Sequence, residues 1–238
     1  MDIANKMMHL ALIILISLSA SAHSKKELQI VYIGNSITQG ALLTTPTQDA
    51  PPVKTTEWLK NNGKFKEVKY NNQGVSGNTT VDFLPFTATC FNDVVKAASE
   101  FKQNKNSQLL FSIMLGTNDS AMNGTNGAPV SNKQYATNLK AIIDELLYLY
   151  PNAKFILHQP LWYSPNTYNY SMYLEPGLKR LKSYTPELEN LVSIYNKRHP
   201  NQVYMGDKEA AKYFEQNFES LFTPENGNAG VFYLHPNK

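Results

Sequence analysis

The chain has 238 residues, of which 42% are hydrophobic and 17% charged, with a formal net charge of +3. This fits one ordinary globular domain that can bury a core without staples. The small, scattered charge excludes a nucleic-acid partner, and the single cysteine, Cys90, excludes an intrachain disulfide.

At the amino end, Lys6 and the free amine precede an apolar stretch over residues 10–18, followed by Ala20-Ser21-Ala22. This is the layout of a secretory signal peptide cleaved near Ala22. The stretch is shorter than the ~20 residues of a membrane span. The expectation is therefore a signal peptide over residues 1–22, a mature domain over 23–238, a secreted or periplasmic location, and no stable membrane span.

The first predicted strand is 28–33, ending at Gly34 and followed by Asn35-Ser36-Ile37-Thr38-Gln39-Gly40. A second, weaker strand at 67–70 leads to Asn72-Gln73-Gly74-Val75-Ser76-Gly77-Asn78-Thr79. A helix is predicted over 92–102, with Val94, Val95, Ala98 and Phe101 on one face. Cys90, without a neighbouring Cys or His signature, reads as a buried or idle thiol.

The third strand, 109–115, is almost continuously apolar, as a strand covered on both faces would be, and it runs into Gly116-Thr117-Asn118-Asp119. The clearest helix follows over 131–150, opened by a Ser131/Gln134 capping box and closed before Pro151. A fourth strand at 155–157 precedes an aromatic loop with Trp162, Tyr163, Tyr168, Tyr170 and Tyr173. Thr185-Pro186-Glu187 reads as the start of a helix reaching Arg198, and 203–205 is the fifth strand. Strands alternating with helices predict a parallel sheet covered on both faces. In such sheets ligands bind outside the carboxyl ends of the strands, where the first three loops lie.

These loops, with Leu234-His235-Pro236-Asn237, resemble in order the four blocks of the SGNH (GDSL-like) hydrolase superfamily. The resemblance covers about residues 28–238. It implies a three-layer α/β/α fold with a five-stranded parallel sheet, flavodoxin-like in type. It also implies Ser36 as nucleophile, His235 as base, and an oxyanion hole made by Ser36, Gly77 and Asn118. The chemistry agrees independently. A serine hydroxyl needs a base to take its proton, neutral imidazole does this near pH 7, and the resulting oxyanion needs fixed donors.

Two departures stand out. The family's aspartate, three residues before the histidine, is here Phe232. The favoured reading is that a backbone carbonyl orients His235 in a Ser-His dyad. The alternatives are a distant carboxylate, Glu225 or Asp207, or a catalytically dead site. Asp119 is read as a brace between loops. The family also normally continues past His-Pro-Asn into a final helix, so a chain stopping at Lys238 is expected to lack it.

Aromatic faces beside amides suit a sugar ring, so Trp162 and Tyr163 are assigned to substrate binding. The sequence is also similar to secreted bacterial members of the superfamily that deacetylate carbohydrates. The expected function is thus a short-chain (acetyl) esterase acting on a small-molecule or polysaccharide ester, without cofactor. The alternatives are a lipase or thioesterase for longer acyl chains, and a non-catalytic carbohydrate-binding protein on a decayed hydrolase fold. The five histidines show no metal-ligand spacing.

Overall fold

The structure, a computed structural model, describes residues 25–237 apart from 88 and 103. The expected signal peptide, residues 1–22, lies outside the described residues. β1 (Glu27–Gly34), β2 (Glu67–Gly74), β3 (Ser107–Met114), β4 (Lys154–Leu157) and β5 (Val203–Met205) form one sheet in the order β2-β1-β3-β4-β5. Every pairing in it is parallel. This is the flavodoxin-like doubly wound order, whose switch point lies between β1 and β3.

Strand periodicity sorts the side chains onto two faces. Val31, Ile33, Leu109, Phe111, Ile113, Phe155, Leu157 and Val203 point to one of them. There they meet helices α4 (Cys90–Ser99), α5 (Asn132–Leu149) and α6 (Leu174–Arg198). Phe111 stacks on Phe155 with ring centroids 5.2 Å apart, tying two strands together inside this core. On the other face Leu28, Ile30, Tyr32 and Val68 pack beneath Leu59 of α3 (Pro51–Asn61). Between β1 and α3 run two single-turn helices, α1 (Ser36–Gln39) and α2 (Pro46–Asp49).

The predicted elements are all present, with moved ends. Helix α5 begins as expected: Ser131 Oγ accepts the Gln134 N–H at 3.2 Å. The box is only half closed, because the Gln134 side chain donates to Asn138 Oδ1 instead. Helix α6 corrects the expectation of a start at Pro186. It begins at Leu174 and runs through the proline. A proline inside a helix costs about 3 kcal/mol. Here Leu178, Leu181 and Tyr184 before it and Leu188, Leu191, Val192 and Tyr195 after it form one buried stripe. Burying that many large side chains outweighs the local break.

Beyond β5 come α7 (Ala210–Gln216), α8 (Phe218–Leu221) and an unpredicted antiparallel hairpin. Its strands are β6 (Phe222–Gly227) and β7 (Gly230–Pro236). Gly227 faces Gly230 across the tight turn, and Glu225 faces Phe232. Among the described residues no helix is long and apolar enough to cross a membrane.

Candidate active site

The turn after β1 is built for close approach. A Cβ on Gly34 would stand 1.9 Å from Thr38 Oγ1, so only glycine lets α1 sit directly on the strand end. Helix α1 is capped by the Asn35 side chain, which accepts the Ile37 N–H at 3.0 Å. Asn72 Nδ2 holds it from below by donating to the Thr38 carbonyl at 2.9 Å. Because Asn35 does the capping, the Ser36 hydroxyl is left for another partner. That partner is His235 Nε2, at 2.9 Å.

The imidazole is oriented by Glu225. His235 Nδ1 lies 2.9 Å from Glu225 Oε1, and the His235 backbone N–H donates to the same oxygen at 3.2 Å. Both side chains are largely buried, 11% and 16% exposed. This corrects the favoured expectation of a backbone carbonyl and identifies the carboxylate among the alternatives. Asp207 is not involved: its Oδ1 accepts the N–H groups of Glu209 and Ala210. Glu225 is the direct cross-strand neighbour of Phe232, the position where the family keeps its aspartate. The Phe232 side chain is 1% exposed and belongs to the main core. The acid therefore reaches the histidine from the adjoining strand of the hairpin.

A network fixes the remaining loops. The Val75 N–H donates to Gly34 O at 3.0 Å, and Ser76 N–H to Gln39 Oε1 at 2.9 Å. Between them and Asn78 sits Gly77 at φ +80°, a left-handed conformation that favours glycine. Gly77 is exposed and nothing stands within 4 Å of where its Cβ would be, so a carbonyl group can approach its N–H. Among the described residues, neither the Gly77 nor the Ser36 N–H has a hydrogen-bond acceptor. Asn118, 3% exposed, donates from Nδ2 to Asn78 O at 2.8 Å, which joins the loop after β3 to the one after β2. The structure thus brings Ser36, His235, Gly77 and Asn118 to the carboxyl ends of β1, β2 and β3.

Asp119 is the brace that was expected. Fully buried, it accepts from the Thr80 N–H at 3.0 Å and from the Thr80 hydroxyl, which itself receives Asn138 Nδ2 at 2.8 Å. Burial raises its pKa from 3.8 to about 6, against the lowering effect of the Thr80 hydrogen bonds. The native state therefore binds this proton more tightly than the unfolded chain. The group's stabilising contribution is complete below about pH 4 and lost as pH rises through about 6. Asp119→Asn keeps an acceptor for Thr80 and removes the charge. Its stability relative to wild type should improve by roughly 2–3 kcal/mol between pH 4 and pH 7, measured by denaturant unfolding. A difference independent of pH would refute this account.

The substrate-binding assignment of Trp162 and Tyr163 is corrected. Trp162 is 8% exposed and packs on Phe218 and Phe222 at centroid distances of 5.4 and 5.9 Å. Tyr163 is fully buried, its hydroxyl 2.9 Å from Ser120 Oγ. Tyr163 has no face to offer a sugar, and Trp162 presents only a small edge, toward a cavity with Leu178, Lys182 and Glu215. The loop instead backs the hairpin. Ser164 exchanges hydrogen bonds with Tyr233 at 2.9 and 2.8 Å, and Asn166 Nδ2 donates to Val231 O at 2.7 Å. Tyr170, on the same loop, is fully exposed. Cys90 lies under Asn78, whose Nδ2 donates to its sulfur, and burial raises the thiol pKa. His158 pairs with Ser112 Oγ at 2.9 Å, away from Ser36 in the hydrogen-bond network.

Comparison with known proteins agrees with this architecture. The GDSL-like lipase/acylhydrolase family matches residues 32–238. No curated protein matches the sequence. Among solved structures, a catalytic mutant of an acetylxylan esterase from Geobacillus stearothermophilus superposes with TM-score 0.56 at 17% identity, covering 90% of this chain and 87% of that one. A lipase/acylhydrolase from Enterococcus faecalis gives 0.55 at 19% identity, with 88% and 87% covered. A carbohydrate acetylesterase from Sinorhizobium meliloti gives 0.54 at 14%, with 87% and 90% covered. Identities this low establish the shared fold alone. The match over residues 32–238 does more: the chain belongs to the GDSL-like lipase/acylhydrolase family, the SGNH group of carboxylic-ester hydrolases.

Proposed function

We propose that this protein is a secreted serine esterase that removes short acyl groups, chiefly acetyl, from carbohydrate. The observation that carries the catalytic part is the continuous hydrogen-bonded series Ser36 Oγ, His235 Nε2, His235 Nδ1 and Glu225 Oε1, with both links 2.9 Å long.

In this reading a carboxylate, which can only accept, keeps the imidazole proton on Nδ1. Nε2 is then the lone-pair nitrogen facing the serine. As Ser36 Oγ attacks the ester carbonyl, its proton passes to Nε2 and the C–O double bond opens to an oxyanion. The Ser36 and Gly77 N–H groups and the second Asn118 Nδ2 hydrogen receive that charge. Glu225 stabilises the imidazolium that forms, without taking the proton itself. The imidazolium then protonates the departing sugar oxygen, leaving an acyl-Ser36. Water, deprotonated by His235, hydrolyses that intermediate and restores the serine.

The acetyl preference draws its support from the acetylxylan esterase and the carbohydrate acetylesterase that share the fold. The fold-sharing lipase/acylhydrolase keeps longer acyl chains as the second reading. A series of aryl esters from two to twelve carbons separates them. Acetate is expected to give the highest kcat/KM, with a loss of about tenfold or more by eight carbons. A maximum at eight carbons or beyond would overturn the acetyl assignment. Secretion rests on the signal-like segment at 1–22.

A further inference from the structure

We propose that Tyr173 is a positioning residue of this site, holding the Asn118 carboxamide so that one Nδ2 hydrogen faces the oxyanion. The inference rests on the esterase reading above and assigns a task to an aromatic of the loop that follows β4.

A carboxamide is useful in an oxyanion hole only in one of its two flipped orientations. In the other it presents its oxygen to a developing negative charge. The Asn78 carbonyl can only accept, so it selects the NH2 end of Asn118, at 2.8 Å. The oxygen end then needs a donor, and the Tyr173 hydroxyl supplies it at 2.6 Å. Two partners of opposite character thus grip opposite ends of one planar group. One Nδ2 hydrogen is committed to Asn78, and among the described residues the other has no acceptor.

Tyr173 suits the task. It is 3% exposed, packed edge-to-face on Tyr163 at 5.3 Å, and stands at the entrance to α6, whose Gly177 N–H bonds back to its carbonyl at 3.0 Å. Its own N–H donates to Thr167 O. The ring therefore has little freedom to swing. Burial raises its pKa, against the lowering effect of a hydrogen bond with the Ser171 side chain and with the charge of Glu225 adding to the rise, so the hydroxyl keeps its proton across the working range. The donor is permanent.

The test is a double-mutant cycle of Tyr173→Phe and Asn118→Ala, read as kcat and KM on an aryl acetate. Tyr173→Phe keeps the packed ring and is expected to lower kcat by about 10- to 100-fold, as small misplacements of catalytic groups do, with KM within about threefold. Asn118→Ala alone is expected to cost about 10²–10³. In the Asn118→Ala background, Tyr173→Phe should cost less than about threefold further, because the group it acts through is gone. Equal losses in both backgrounds, or a change confined to KM, would show a merely structural role and overturn the proposal. An active wild type with a silent Tyr173→Phe would also overturn it while leaving the esterase reading intact. A wild type inactive on every ester of the series would remove both.

Discussion

Replacing Ser36 by alanine is expected to lower kcat on an acetyl ester by about 10⁴- to 10⁶-fold, the range seen when the nucleophile of a serine hydrolase is removed. KM should move little. The alanine leaves the fold intact, because the structural duties at this turn belong to its neighbours. Asn35 caps α1, Gly34 permits its close approach, and Asn72 ties it to β2. Among the described residues, the Ser36 hydroxyl has one side-chain partner, the His235 imidazole. A variant retaining more than about a tenth of wild-type kcat would mean that the reacting hydroxyl is elsewhere. The nearest serine by sequence in a neighbouring loop, Ser76, has its hydroxyl committed to Gln39 Oε1 at 2.5 Å.

The second large effect is expected at Glu225. Glu225→Gln keeps the size of the side chain and adds an NH2 group that can donate to His235 Nδ1. The imidazole would then carry its proton on Nε2, where Ser36 needs a base. In a related triad the equivalent change costs about 10⁴ in turnover. Here a loss of about 10²–10⁴ in kcat is expected, the lower end applying if the oxygen of the new amide keeps the His235 backbone N–H and resists the flip. Thermal stability should change little, because the residue lies at the edge of a two-stranded hairpin and not in the core. A loss below about threefold would mean that Glu225 merely neighbours the histidine. Asp207→Asn, by contrast, should leave kcat within about twofold, since that carboxylate caps a turn of its own.

The placement of Glu225 shows what could and could not be read from the residues in order. Ser36, Gly77 and Asn118 were legible because their segments, each following a strand of the central sheet, resemble in order the blocks of the SGNH superfamily, and the chemistry of an oxyanion site agrees with those residue types. His235 was legible only through the resemblance of Leu234-His235-Pro236-Asn237 to the last of those blocks. The acid was legible only as one of two alternative carboxylates, Glu225 or Asp207, because its relation to His235 is one of pairing across a hairpin. Ten positions along the chain become a hydrogen bond only when β6 folds back on β7. The signal was present. Asn226-Gly227-Asn228-Ala229-Gly230 is a run of turn formers, and Val231-Phe232-Tyr233-Leu234 after it is rich in strand formers. Read as a hairpin, that segment would have set a carboxylate opposite Phe232.

The aromatic loop misled for a related reason. Trp162 and Tyr163 carry the composition of a sugar platform, yet composition does not tell which side of a loop meets protein. Phe222 and Phe232 of the hairpin need an apolar floor, and Trp162 with its neighbours supplies it. The same packing positions His235, so these residues bear on the reaction through the hairpin and not through the substrate. Helix α6 illustrates the converse error. Pro186 marks a helix start only locally, whereas the spacing of Leu178, Leu181, Leu188 and Leu191 is helical on both sides of it and all four are buried.

Activation of Ser36 through His235 by Glu225 underlies every step of the proposed reaction. It is tested most directly by intact-mass spectrometry with peptide mapping after exposure of the folded protein to a fluorophosphonate at neutral pH. One adduct per chain on Ser36 is predicted, forming at least about a hundredfold more slowly in Glu225→Gln. No adduct, or an adduct on another residue, would contradict it.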